Sequence, residues 1–272
     1  KILENDKALC HLPIYFSYGL SVINSHIISG ASLYITNRPI NDKFFWKTLK
    51  KNKITSLSGV PFHFETIFRF GFNVISNTSI KTLTQAGGKL SPKLVSYFSK
   101  NSKKGNIDFY VMYGQTEAGP RISYLPPMLT EKNPDSVGVP IPGVDLKIVD
   151  SSNKTILDFF KEGELICESP AVMMGYSEKA SDLERGDDLQ GVLKTGDLAY
   201  KNANGLFVIS GRLKRFVKLT GKRVNLDDLD LFLKDSGYNA VSTCDNEKLY
   251  IYIESKYEKD IGILKKILAE QF

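Results

Sequence analysis

Between residues 31 and 112 the chain alternates short apolar runs with longer helix-like stretches, and most of the runs close at a glycine or proline. That rhythm allows few architectures. An apolar, glycine-punctuated segment from 12 to 36 ends in a β-branched run at 31–35, which reads as a strand. Residues 44–51 read as a helix. A short strand at 54–57 ends at Gly59-Val60-Pro61, and a second helix covers 62–70. Residues 80–86 read as a strand, Ser91-Pro92 supplies a helix cap with a first-turn proline, and 108–112 returns to strand. Helix and strand in this alternation pack as an α/β layer.

After residue 126 the texture changes to short strands and turns at 145–149, 163–168, 191–195 and 205–209. Such spacing predicts a small distorted β-barrel or sheet. A third segment starts at 214, with a helix at 227–234, a strand at 248–254 and a final helix from 260, forming a compact α+β unit. The expected organisation is therefore 1–126, 127–213 and 214–272.

The hydrophobic share of 42% and charged share of 24% are those of a globular chain. The 36 basic residues exceed the 30 acidic ones, but they are dispersed without a basic run. That distribution suits an anionic small molecule at least as well as nucleic acid, and nucleic acid is not expected as a partner. Cys10, Cys167 and Cys244 lack metal-ligand spacing and read as free thiols in a reducing, cytoplasmic setting. The apolar stretch 14–28 is interrupted by Ser17, Gly19, Asn24 and His26, so neither a signal peptide nor a membrane span is expected. The chain opens at Lys1 without a methionine and closes inside a helical pattern, so both ends read as the ends of a fragment.

Three strings carry chemistry. Tyr113-Gly114-Gln115-Thr116-Glu117 follows a strand, where α/β sheets present ligand-binding groups, and its hydroxyl beside a carboxylate can meet a phosphate oxygen and its Mg²⁺. The plainer reading is a solvated turn. Lys194-Thr195-Gly196-Asp197-Leu198 ends an expected strand; Asp197 there could accept two hydrogen bonds from a ribose diol, although Thr-Gly-Asp also makes ordinary hairpin turns. Gly211-Arg212-Leu213-Lys214 and Lys218-Leu219-Thr220-Gly221-Lys222-Arg223-Val224 gather cations around glycines at a segment boundary, where an anion could be clamped.

The order of these strings, together with Leu12-Pro13 through Tyr18-Gly19-Leu20, Gly59-Val60-Pro61, Gly87-Gly88-Lys89-Leu90, Gly163-Glu164-Leu165 and Gly175-Tyr176, resembles the adenylate-forming superfamily. That superfamily includes acyl-CoA synthetases, peptide-synthetase adenylation domains and firefly luciferase. The resemblance implies the C-terminal half of the large α/β adenylation domain, followed by an incomplete small domain. It implies an AMP-forming carboxylate ligase that makes acyl-AMP and pyrophosphate from ATP and an acid, then passes the acyl group to CoA or to a carrier-protein phosphopantetheine thiol.

Carried over by residue, Tyr113 would flank adenine, Thr116 would contact the α-phosphate and Glu117 would bind Mg²⁺. Asp197 with Arg212 would hold the ribose, and Gly87 and Gly88 would let backbone approach the adenylate. Lys214 would be the hinge of the small domain, and Lys218 with the 221–223 loop would face the site in the thioester-forming pose. The acyl pocket would be lined by Tyr18, Val60, Phe62, His63, Gly87 and the stretch 118–121. No side-chain nucleophile is needed, so His11, His26 and His63 are expected to be structural or pocket-lining.

The pattern also has gaps. The family's Ser/Thr/Gly-rich phosphate loop belongs upstream of Tyr18-Gly19-Leu20 and is absent here, and no match to its distal catalytic lysine follows Val224. Phe16 stands where many relatives carry histidine, and the 16–22 stretch has no aspartate to bind an amino-acid ammonium, which disfavours amino acids as substrates. The alternatives to an active ligase are a catalytically silent nucleotide- or acyl-binding module, or one half of a split enzyme.

Overall fold

The structure, a computed structural model, describes residues 2–219, 222–245 and 248–271. Strand β1 (Lys7–Cys10) leads through α1 (Ser17–Ile28) to β2 (Ser32–Ile35), and α2 (Lys43–Lys51) brings the chain back to β3 (Ser56–Gly59) on the other flank of β1. Helix α3 (Pro61–Phe70) and the single turn α4 (Asn73–Ser76) precede β4 (Thr82–Gln85), and α5 (Pro92–Lys104) precedes β5 (Asp108–Tyr113). These five strands run parallel in the order β2-β1-β3-β4-β5. Because the path reverses after β2, right-handed crossovers put α1 on one face and α2, α3 and α5 on the other.

Side-chain alternation along the strands supplies both cores. Leu9, Leu57, Leu83, Phe109 and Val111 join Phe45, Leu49, Phe64, Ile67, Val95 and Phe98 of α2, α3 and α5 in one cluster. Ala8, Cys10, Ala86 and Met112 pack instead with Tyr18 and Val22 of α1. The expected helices and strands of 31–112 are all present. The structure adds β1 and α1, which sequence patterning missed. In β1 the Ala8-Leu9-Cys10 run is buried on both faces and so shows no polar alternation. In α1 the serines and Gly19 depress helix propensity, and tertiary packing overrides it.

Two antiparallel strands, β6 (Ser123–Leu125) and β7 (Val139–Pro140), extend the sheet to seven, with the turn α6 (Pro127–Thr130) between them. A second sheet of β8 (Asp145–Val149), β9 (Gly163–Glu168), β10 (Val192–Lys201) and β11 (Phe207–Arg212) is antiparallel in the order β11-β10-β9-β8. Among the described residues its outer strands do not pair with each other, so of the barrel or sheet that the spacing predicts, the form present is an open sheet. An antiparallel bridge from Phe207 of β11 to Gly138 ties it to the large sheet.

One strand corrects the sequence reading directly. The expected strand 191–195 does not end at Thr195-Gly196-Asp197; β10 runs through it for ten residues. Gly196 takes a left-handed φ of +68°, and the register against β9 shifts between Lys194 and Leu198. A glycine in that conformation makes a bulge within a strand as readily as a turn at its end.

The last segment contains β12 (Phe216–Leu219), β13 (Lys222–Asn225), α7 (Leu226–Asp235), β14 (Ala240–Asp245), β15 (Lys248–Ile253) and α8 (Ile261–Gln271). It has its own core of Val217, Val224, Leu226, Leu229, Leu233 and Leu264. Asn225 caps α7 by accepting from the Asp227 amide at 2.9 Å.

Candidate functional site

Three neighbouring parallel strands deliver their C-terminal turns to one edge of the large sheet: Gly59-Val60 after β3, Gly87-Gly88 after β4 and Gly114 after β5. This is the edge at which open α/β sheets bind ligands. Gly87 has a φ of +75°, and a Cβ there would press on Val60 Cγ1 at 3.1 Å. The buried Gln85 holds this turn by donating to the Gly88 carbonyl at 2.8 Å. Gly114 is sterically obligatory, because a Cβ would lie 2.3 Å from the Pro120 carbonyl.

At the centre sits Asp197, only 2% exposed. The β10 bulge aims its carboxylate at the end of β5, where the Tyr113 hydroxyl donates to Oδ2 at 2.6 Å and the Gln115 amide donates to the same oxygen at 2.7 Å. On the neighbouring strand β11, Arg212 pairs with Asp197 in register and donates from Nε to Oδ1 at 2.9 Å. Gln115 also donates to the Thr195 carbonyl at 3.0 Å, and Thr195 donates to the Leu165 carbonyl at 2.7 Å. Burial, then the charge of Asp197, pushes the Tyr113 hydroxyl well above the ordinary tyrosine range, so it stays a proton donor. Three donors fill three of the roughly four acceptor positions of a carboxylate.

Thr116 and Glu117 lie on the 3₁₀ turn that follows. The Thr116 hydroxyl is hydrogen-bonded to Ser17 at 3.1 Å, in the first turn of α1, a helix whose N-terminus has no side-chain cap. The Glu117 carboxylate accepts from the Tyr176 hydroxyl at 2.8 Å, and its carbonyl accepts from the Met173 amide at 2.7 Å.

Around the Gly87 turn, the Val60 amide donates to His63 Nδ1 at 3.2 Å, and Tyr18 reaches across from α1 to donate to the Thr84 carbonyl at 3.0 Å. Phe62 is 55% exposed, with its ring edge-on to His63.

The basic block divides. Arg212 belongs to the Asp197 cluster, whereas Arg215 is taken up by Asp227 at 2.6 Å and Asp230 at 2.5 Å and so serves the fold of the last segment. Lys214 is exposed on the turn between them. The Lys218 side chain and Gly221 lie outside the described residues, although the Lys218 backbone pairs with Arg223.

His26 is buried, with Nδ1 2.7 Å from the Val22 carbonyl, and burial holds His11 down to about 4. The three thiols are free. Sequence reasoning did not single out Gln115, Gln85 or the Tyr176 hydroxyl. Gln115 and Tyr176 stand inside strings that were recognised, but their roles depend on Asp197 and Glu117, 82 and 59 residues away.

The strand-end glycines and the hydroxyl–carboxylate turn fall within residues 1–177, which match the AMP-binding enzyme model. The chain belongs to the AMP-binding enzyme family. It is 27% identical over 270 residues to a 2-succinylbenzoate–CoA ligase of Staphylococcus aureus, covering 95% of this chain and 52% of that protein. It is 26% identical over 234 residues to a probable 4-coumarate–CoA ligase 3 of Dictyostelium discoideum, covering 85% and 41%. The fold matches o-succinylbenzoate CoA synthetase (MenE) of Bacillus subtilis, solved with its acyl-adenylate intermediate, at a TM-score of 0.79 and 20% identity, covering 100% of this chain and 55% of that one. The chain thus spans about half the length of the relatives it matches. Among the described residues no helix is long and apolar enough to cross a membrane.

Proposed function

We propose that this AMP-binding chain is the nucleotide-holding part of an AMP-forming carboxylate–thiol ligase. In this reading an acid attacks the α-phosphorus of ATP to give acyl-AMP and pyrophosphate, and the acyl group then passes to CoA or a carrier-protein phosphopantetheine. The observation that carries it is the buried Asp197, anchored by Tyr113, Gln115 and Arg212 at the strand edge. A ribose hydroxyl takes the remaining acceptor position, and Arg212, whose side chain is 63% exposed, can yield a second.

Tyr113 flanks the adenine, Thr116 contacts the α-phosphate beside the uncapped start of α1, and Gly87 and Gly88 let backbone approach the adenylate. Mg²⁺ keeps most of its shell as water and phosphate oxygens and needs only one or two protein carboxylates, which suits the lone Glu117. When bound, the metal neutralises phosphate charge. Tyr18, Val60, Phe62 and His63 line the acid's side of the site. The segment from 214 onward is a separate unit turning about Lys214, with Lys218 brought to the site for thioester formation.

Acid-dependent exchange of pyrophosphate into ATP by the product of the complete reading frame, lost in Glu117→Ala, is the expected result. Failure with every acid in a broad panel removes the ligase assignment.

A further inference from the structure

Arg121 follows Pro120 in the loop that connects β5 to β6, and its backbone is fixed against the Tyr113-Gly114 turn, where a Gly114 Cβ would come within 2.8 Å of the Arg121 amide nitrogen. From there its side chain runs under α1. Nη2 makes one long hydrogen bond to Ser25 Oγ, at 3.4 Å, and Nε is buried with no hydrogen-bond partner among the described residues. No ion pair among the described residues includes Arg121.

Its neighbours offer no relief. Tyr18 and His26 are the groups that feel its charge, and both are engaged elsewhere: Tyr18 with Thr84, His26 with the Val22 carbonyl and Ser56. Burial also holds His26 below the ordinary histidine range, so it contributes no negative charge and remains neutral near pH 7. Burial acts on Arg121 in the same sense, lowering its hold on its proton. A guanidinium stays charged under any ordinary condition, and a buried charge is kept where something pairs with it. Ser25 lies about 12 Å along α1 from Ser17, the residue that meets Thr116, by the helical rise per residue. Arg121, outside every ion pair among the described residues, therefore lies along α1 from the Ser17–Thr116 contact, set back from the edge where an acid's reacting carboxylate belongs.

We propose that Arg121 receives a second carboxylate on the acid being activated, so that the preferred substrate is a dicarboxylic acid. The inference rests on the ligase reading above, because it assigns the far end of the same acyl site. Guanidinium and carboxylate match as a bidentate pair, and a site built around a buried polar group rejects analogues that leave it unpaired.

The test is pyrophosphate exchange by the complete reading-frame product with a graded series of straight-chain dicarboxylic acids and monocarboxylic acids of matched length. The wild type is expected to favour at least one diacid over its matched monoacid by about tenfold or more in kcat/KM. Arg121→Met, close in length and uncharged, is expected to erase that preference, the KM for the diacid rising by more than the KM for the matched monoacid. Arg121→Lys is expected to retain part of it.

A wild-type ratio near one overturns the inference whether or not the variants fold. So does an Arg121→Met enzyme that slows all acids alike, the behaviour of an arginine that serves only the fold or pairs with a protein carboxylate. Exchange with no acid at all sinks the ligase reading and this inference with it. Exchange with acids but without preference sinks this inference alone.

Discussion

Asp197 shows how a residue acquires surroundings that its own string does not specify. In sequence it belongs to a Thr-Gly-Asp tripeptide of the kind that closes hairpins; in the fold it is buried and held by donors from β5, from the loop after it and from β11. Gln115 is the least foreseeable of these. Its amide binds both the Asp197 carboxylate and the Thr195 carbonyl, so it fixes the bulge as well as the charge. Gln115→Leu removes both bonds at similar volume, and at about 1.5–3 kcal/mol for a bond to a charged group it is expected to weaken ATP affinity roughly tenfold or more, as read by calorimetry on the complete reading-frame product. Thr116 and Glu117 stood out in the sequence because hydroxyl and carboxylate are adjacent in the chain, and their roles belong to the proposed function. Tyr176 was not, because only the folded loop brings its hydroxyl to Glu117.

At the scale of elements, periodicity found what it can find. Helices α2, α3 and α5 each bury one stripe, so their patterns are visible. Strand β1, buried on both faces, and helix α1, rich in serine, carry no such signal. The bulge in β10 was read as a strand end because a left-handed glycine serves either purpose. Two glycines separate backbone strain from steric conflict. Gly138 and Gly196 have similar φ values, +79° and +68°, but a Cβ at Gly138 would sit 1.9 Å from the Tyr124 carbonyl, while one at Gly196 meets nothing within 4 Å. Gly196→Ala is therefore expected to cost about 1–2 kcal/mol, the left-handed penalty alone. Gly138→Ala is expected to cost well over that, about 4 kcal/mol or more, or to prevent folding, since it breaks the junction between the two sheets. Urea unfolding of both variants in parallel checks the difference.

For the molecule as a whole, His11, His26 and His63 are all held below the ordinary histidine value, with burial the largest cause in each. The unfolded chain takes up protons near pH 6.5 that folded His11 refuses until about pH 4. Stability from this residue is thus full above pH 6.5 and is lost as pH falls from there toward 4, with a slope of up to about 1.4 kcal/mol per pH unit per excluded proton. Denaturation midpoints at pH 7.5 and 5.5 should differ by less in His11→Leu than in the wild type. In the proposed function the whole assembly matters: two sheets meet so that a buried carboxylate on one reads a ribose bound at the edge of the other. It is tested most directly by a cycle of binding measurements on the complete reading-frame product, comparing ATP with its 2′,3′-dideoxy analogue, in wild type and in Asp197→Asn. The account predicts that the wild type binds the dideoxy analogue roughly ten- to a hundredfold more weakly, and that Asp197→Asn binds both nucleotides with similar, reduced affinity. Equal affinity of the wild type for both nucleotides, or an undiminished preference for ATP in Asp197→Asn, would contradict it.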